Sequence, residues 1–306
     1  MQMVEISASM VKELRDRTGA AMMDCKKALV DSSGDAEKAV ELLRQKGIAV
    51  AGKKSSRAAS EGLVVGEVAA DGKIGVLLEV NCETDFVARN PEFVALTEQI
   101  RQTVLAKKPD SVDALLKLPH GSATVQDLIT EKVAKIGENI LVRRLSLIEL
   151  ASPQGQVGLY IHALGGKMGA LIEIKSSKDV PASELAALAK EIAMHIVSAK
   201  PSFISRQEIP ADVIENEKRI ESGKADLADK KPEMRDKIVQ GRVDKLLAER
   251  CLLEQPFVKD PSQTIAQYFK QKGTAWGGAD LTPTRFSLFI LGESQASDDA
   301  DKNGDA

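Results

Sequence analysis

Apolar runs and helical-period stripes alternate along the chain, and they predict its elements. Residues 73–80, KIGVLLEV, are apolar enough for a buried strand. Residues 63–68 read as its hairpin partner across a turn containing Asp71 and Gly72. Asn90 and Pro91 then mark a helix start, Asn as N-cap and Pro at the first helical position. Phe93, Leu96, Ile100 and Val104 follow on one helical face. Residues 110–139 predict further helix, carried by Leu115, Leu116, Leu118, Val125, Leu128 and Ile129, and residues 140–150 predict a strand.

Upstream, residues 1–50 predict three short helices around one small core. Ser7 caps the first, which carries Met10, Val11 and Leu14 and stops at Thr18 and Gly19. The second runs from Met23 through Val30 to a stop near Gly34. Asp35 caps the third, with Val40 and Leu43 inward and Gly47 as its end. Residues 51–60, AGKKSSRAAS, read as a basic linker containing Lys53, Lys54 and Arg57.

The strand-then-helix pattern recurs. Residues 167–174, KMGALIEI, repeat 73–80 at an offset of 94 (167 − 73 = 94). Leu185, Leu188, Ile192 and Ile196 repeat the helical stripe at an offset of 92 (185 − 93 = 92). Both helices run into a Lys-Pro pair, Lys108-Pro109 and Lys200-Pro201. An internal repeat of this kind implies two similar α+β halves. At the first offset Asp85 faces Asp179 and Phe86 faces Val180, so the second copy manages without the ring.

Residues 202–253 break the pattern. Two charged helices are predicted, 211–228 and 232–250. Their thin stripes are Val213, Ile220 and Leu227 on one, and Met234, Ile238, Val243 and Leu246 on the other. Back to back they make a projecting antiparallel hairpin. Beyond it Ser262 caps a helix carrying Ile265, Tyr268 and Phe269, and residues 284–291 alternate as a last strand. The predicted fold class is α+β: a three-helix module (1–52), a basic linker (53–60), a first core half (61–146) and a second core half (147–201 and 254–291). The helical hairpin is inserted at 202–253, and an acidic, disordered tail follows at 292–306.

Composition narrows the function. The chain has 306 residues, 28% charged and with a net charge of −3, which implies no general attraction to nucleic acid or anionic membrane. Cys25, Cys82 and Cys251 are too few and too scattered for a disulfide scaffold and fit a reducing cytoplasm. No signal peptide and no membrane-length apolar run are read. His120, His162 and His195 have no Cys or carboxylate at metal-ligand spacing, so no metal or cofactor is expected. His195 reads as a satisfied, partly buried histidine and His162 as an open one on a hairpin strand. Gly165-Gly166-Lys167 lacks the Ser or Thr of a phosphate loop, having Met168 there, and falls in a hairpin turn. Most enzyme classes lose support and a binding function gains it.

The candidate binding residues sit between the 73–80 strand and the Pro91 helix. Thr84, Asp85, Phe86 and Val87 place a carboxylate beside a large ring at a strand-to-helix junction. Phe86 either caps a small core or stands exposed for a partner. Met22 and Met23 present the same choice in the N-terminal module, core packing or a soft contact surface.

Residues 14–29, LRDRTGAAMMDCKKAL, and 79–89, EVNCETDFVAR, resemble the two signature segments of the bacterial translation elongation factor Ts family. The resemblance extends through MHIVSAKP (194–201) and QPFV (255–258); the turn at 164–167 and the acidic tail depart from the family pattern. It implies a cytoplasmic guanine nucleotide exchange factor for the GTPase elongation factor Tu, not an enzyme. It also implies a ubiquitin-associated-like N-terminal module, with partner contacts at Leu14, Met22 and Met23 and at His162 in the second core half. Thr84, Asp85, Phe86 and Val87 would enter beside the nucleotide pocket and displace Mg²⁺. A dimer through the helical hairpin or the second core half is a further expectation. The alternative is a peptide- or RNA-associated adaptor without exchange activity, the RNA contacts coming from Lys53, Lys54 and Arg57; stable nucleic acid and membrane are not expected partners.

Overall fold

The computed structural model describes residues 6–18, 20, 22–121, 123–151, 154–163, 165–227 and 230–293. From residue 294 on, the expected acidic tail lies outside the described residues, as do Gly19, Leu164 of the 164–167 turn and Asp229 between the two charged helices. The fold is α+β. Among the described residues no helix is long and apolar enough to cross a membrane.

The chain begins with α1 (Ala8–Thr18), α2 (Met22–Asp31) and α3 (Ala36–Lys54). Then come β1 (Glu61–Val68), β2 (Ile74–Cys82), the single turn α4 (Asp85–Ala88), α5 (Pro91–Lys107) and α6 (Val112–Lys117). The two-residue strands β3 (Pro119–His120) and β4 (Ala123–Thr124) lead into α7 (Val125–Ile136) and β5 (Ile140–Glu149). The remainder is β6 (Gly155–Ile161), β7 (Met168–Ser176), α8 (Ala182–Ala199), α9 (Ala211–Ser222), α10 (Pro232–Arg250), β8 (Pro256–Phe257), β9 (Asp260–Thr264), α11 (Ile265–Ala275) and β10 (Leu281–Ile290). These elements divide into two compact units. One comprises Met1–Val65, Leu78–Leu147 and Ile290–Ala306, the other Gly66–Leu77 and Ile148–Phe289.

In the first unit α1 to α3 enclose Val11, Leu14, Cys25, Ala28, Leu29 and Ala39. The expected caps form: Ser7 Oγ accepts the Met10 N–H at 3.3 Å and Asp35 Oδ1 accepts the Lys38 N–H at 3.1 Å. Gly47 does not end α3, which runs on to Lys54 and takes residues 51–54 from the expected linker. The reason is tertiary. α3 packs along α7, where a Cβ on Gly47 would lie 3.5 Å from the Ala134 Cβ. That packing outweighs the ~1 kcal/mol penalty of a mid-helix glycine.

Two three-stranded sheets form, ordered β1-β2-β5 and β10-β7-β6. Each central strand, β2 or β7, is nine residues long and buried on both faces. That double burial is why both read as near-continuous apolar runs. The likeness between the two stretches goes beyond those strands. β5 and β10 are both ten residues long, with Arg144 and Arg285 at the same place, 141 positions apart (285 − 144 = 141). α7 and α11 both start on a capping box, Thr124 with Asp127 and Thr264 with Gln267. Thr264 therefore caps α11, and Ser262 does not. Ser262 lies on β9, where its hydroxyl donates to Asp260 at 2.6 Å. α5 and α8 both stop at a left-handed lysine, Lys108 and Lys200, ahead of a proline that cannot extend the helix.

In the second unit Ala170, Ile172 and Ile174 of β7 pack with Leu185, Leu188, Ile192 and Ile196 of α8 and with Ile265 and Phe269 of α11. α8 lies so close to β6 that a Cβ on Gly158 would come within 2.4 Å of the Ala189 carbonyl. His195 is fully buried there. The Val258 N–H donates to its Nδ1 at 3.3 Å, so its Nε2 carries the proton toward Gln255 Oε1 at 2.9 Å. Gln255 and the Val258 N–H thus hold both ring nitrogens of His195. α9 and α10 have a small core of their own, with Leu227, Val239, Val243, Leu247 and Cys251. Ile220 and Met234, expected in its stripes, stand exposed.

Two carboxylates are buried in the sheets. Glu79 on β2 receives Arg144 Nε from β5 at 2.7 Å, and Glu173 on β7 receives Arg285 Nε from β10 at 2.6 Å. Glu79 also accepts from the Gly292 N–H and Asn81 Nδ2. Breaking such a pair on one side strands a buried charge. Arg144→Leu is therefore expected to lower unfolding free energy in urea by about 3–5 kcal/mol, and Glu79→Met with Arg144→Leu to recover most of it. A double variant no more stable than Arg144→Leu would show that the pair is not the source of the loss.

Acid sensitivity supplies a second measurement. Burial pushes the His195 pKa below its ordinary 6.5. The unfolded chain then takes up a proton that the folded protein refuses. This share of stability is complete above about pH 6.5 and is lost as pH falls below it. Urea midpoints between pH 7.5 and 5.5 should fall less steeply in His195→Gln than in the parent.

Candidate functional site

β2 ends at Cys82, and two caps follow within eight residues. Thr84 Oγ1 accepts the Val87 N–H at 3.3 Å and starts α4; Asn90 Oδ1 accepts the Glu92 N–H at 2.9 Å and starts α5 with Pro91. A helix of one turn has few inward positions, and Ala88 takes the buried one. Phe86 is left 83% exposed, which decides between its two readings: it is not a core residue. The repeat partner behaves differently. Val180 packs against the core of the second unit, so the two copies do not orient the side chain at this position alike. Asp85 is not free either, since Arg89 Nη2 lies 3.0 Å from its Oδ2. Exposed pairs of this kind are worth little, so Asp85 can exchange partners.

The turn is held from a distance in sequence. Glu138 follows Gly137, whose left-handed conformation (φ 89°) ends α7. Its Oε2 accepts the N–H groups of Glu83 and Thr84, both at 3.0 Å, and its Oε1 accepts the Thr84 hydroxyl at 2.6 Å. Glu83 reciprocates, accepting the Asn139 N–H at 2.6 Å. Asn139 Nδ2 reaches the carbonyls of Ser55 and Arg57, and Arg57 lies 3.6 Å from Glu83. Lys54 donates to the Gly137 carbonyl. Beneath the turn the Cys82 thiol donates to the Thr84 carbonyl at 3.2 Å. Burial, with Glu138 nearby, pushes that thiol up to about 12, so it stays protonated and unreactive.

The remaining sequence candidates are dispersed. Met22 and Met23 open α2, 50% and 74% exposed, as a contact surface requires. Leu14 does not belong with them: it is 2% exposed, because α1 turns Val11 and Leu14 together into the three-helix core. His162 lies in the second unit just past β6, half-buried rather than open. Its backbone N–H bonds the Met168 carbonyl, and its ring meets Tyr160 edge-on at 6.4 Å. Gly165 and Gly166, in the β6–β7 turn, take positive φ and form no phosphate loop. Sequence reasoning missed Glu138, which carries no local signal beyond following a helix-ending glycine. Among the described residues no three His, Cys, Asp or Glu side chains form a group that could hold a metal ion.

Residues 83–293 match the family model described as Elongation factor TS, a match that begins one residue before Thr84. The chain is similar to elongation factor Ts of Nostoc sp., 46% identical over 297 residues that cover 95% of this chain and 94% of that one. It is 44% identical to elongation factor Ts of Trichlorobacter lovleyi over 301 residues, 97% and 96% of the two chains. Its identity to elongation factor Ts of Clostridium botulinum is 45% over 290 residues, 94% and 93% of the two.

The exposure contrast makes a direct stability test. Phe86→Val removes a ring that the fold does not bury, so its melting temperature should stay within a few degrees of the parent. Phe93→Ala, which empties a fully buried site on α5, should cost about 3–5 kcal/mol. Comparable losses from the two changes would return Phe86 to the core.

Proposed function

The chain belongs to the elongation factor Ts family, and from that premise we propose that it acts in the cytoplasm as the guanine nucleotide exchange factor of the GTPase elongation factor Tu. Residues 84–87 enter beside the nucleotide pocket of the GTPase and displace Mg²⁺. The observation that carries this reading is an 83% exposed phenylalanine on a single helical turn whose base is clamped by Glu138. Residues 1–52 act as the partner-gripping module through Met22 and Met23. The two α+β halves form the body, with His162 a second-half contact, and the helical hairpin is an accessory or dimer contact.

The physics is linkage. A factor that binds the empty GTPase better than its GDP form weakens GDP binding by the same ratio. The wedge acts by favouring a pocket geometry in which phosphate and Mg²⁺ contacts are lost. Phe86 supplies desolvated contact area. Asp85, on leaving Arg89, places a carboxylate near the metal's own ligands. No bond is made or broken, so no catalytic side chain is required. Two of the three cations that an RNA contact would use, Lys54 and Arg57, already have partners within the chain.

Release of labelled GDP from the GTPase tests the reading. The parent should accelerate it at substoichiometric amounts. Phe86→Val should lose more than tenfold in efficiency, since an aromatic anchor is worth about 2 kcal/mol or more and 1.4 kcal/mol is tenfold. Asp85→Ala should lose less, with a deficit that varies with Mg²⁺ concentration. Binding without acceleration would instead support the adaptor reading.

A further inference from the structure

We propose that Glu138 is a positioning residue for the exchange segment, holding residues 83 and 84 so that Phe86 is presented already in its inserting geometry; this rests on the exchange reading above. Both donors of Thr84, its N–H and its hydroxyl, end on this one carboxylate, as does the Glu83 N–H. Hydrogen bonds to an ionised acceptor are shorter and about twice as strong as neutral ones. The carboxylate is itself mounted on a fixed junction. Lys54 ties Gly137, Glu83 ties the Asn139 N–H, and Asn139 ties the carbonyls of residues 55 and 57. Forming the α4 turn does not need Glu138, since Thr84 caps it locally. What Glu138 adds is a fixed place for that turn.

The repeat provides an internal comparison. The β5 and β10 register, 141 positions apart, pairs Asn139 with Asp280 and Gly137 with Gly278, both glycines at positive φ. The 94 offset pairs Glu83 with Ser177. The corresponding bonds are conserved in kind: the Asn139 N–H donates to Glu83, and the Asp280 N–H donates to the Ser177 hydroxyl at 2.8 Å. At the position of Glu138 the second copy has Ala279. There the connection needs no carboxylate, because Val180 is anchored in the core. The carboxylate clamp occurs in the copy whose apolar side chain faces outward. An outward wedge has no core contact to order it, and ordering it at the moment of insertion would subtract from the binding free energy.

The test is a double-mutant cycle on GDP release, read at saturating factor, with Phe86→Val, Glu138→Ala and both together. Glu138→Ala should lose on the order of tenfold in release rate. The double variant should be within about twofold of the worse single variant, because Glu138 acts only through presenting Phe86. Glu138→Gln, which still offers an oxygen to the two N–H groups and an amide to the Thr84 hydroxyl, should restore most of the rate. In the free protein, amide hydrogen exchange at residues 83 and 84 should accelerate in Glu138→Ala, at an unchanged melting temperature. Multiplying losses in the double variant, or parent-like exchange activity in Glu138→Ala, would overturn the proposal. If Phe86→Val itself keeps full activity, it is the exchange reading that fails. If Glu138→Ala does not fold, Glu138→Gln with slow amides but a release rate as low as that of Phe86→Val would equally overturn the positioning role.

Discussion

A buried carboxylate must find a cation or destabilise the fold, and the two three-stranded sheets of this protein each meet that constraint once. Glu79 and Glu173 sit on central strands, and the neutralising arginines come from β5 and β10. A pairing that set another strand against β2 or β7 would leave an uncompensated charge, a penalty of about 3–5 kcal/mol. The constraint also reaches the candidate site. With β5 held beside β2, the junction that precedes β5 comes against the connection that follows β2. Glu138 and Glu83 stand on those two segments, so the clamp on Thr84 follows from the same strand order.

The two copies then diverge in a short stretch. The first has eight residues between strand and helix, 83–90, and the second has five, 177–181. The longer connection makes room for an extra helical turn, and that turn puts its large side chain outward. In the shorter one Val180 reaches the core. A duplicated scaffold thus supports two solutions at one place: a closed connection, and one that is held rigid while its apolar side chain remains unspent.

Local patterns in the chain predicted local structure well. The Asn90 and Pro91 start of α5, the Asp35 cap and both central strands follow from residues close to one another, and the structure forms each. Failures came where distant residues decide. Gly47 looked like a helix end, but α7 holds α3 through it. Thr264 outcompeted Ser262 because Gln267 completes its box. Leu14, a partner contact only by the family resemblance, lies in the three-helix core to which its helical stripe assigns it. At the candidate site Phe86 was recognisable as an unusual side chain, whereas Glu138, more than fifty positions away, was not. The Arg144 and Arg285 pairings were equally hidden, because charged residues on a predicted strand read as solvent-facing.

The placement of the three thiols has a practical meaning. Cys25 lies inside the three-helix cluster, Cys82 at the buried end of β2, and Cys251 in the core shared by α9 and α10. Each stands in a different packed region and none is accessible in the folded state. A thiol-reactive dye therefore meets this protein only through transient opening, and the site it labels identifies the region that opened. The chain carries a built-in clock for each region, which can be read separately by peptide mapping without any engineered probe.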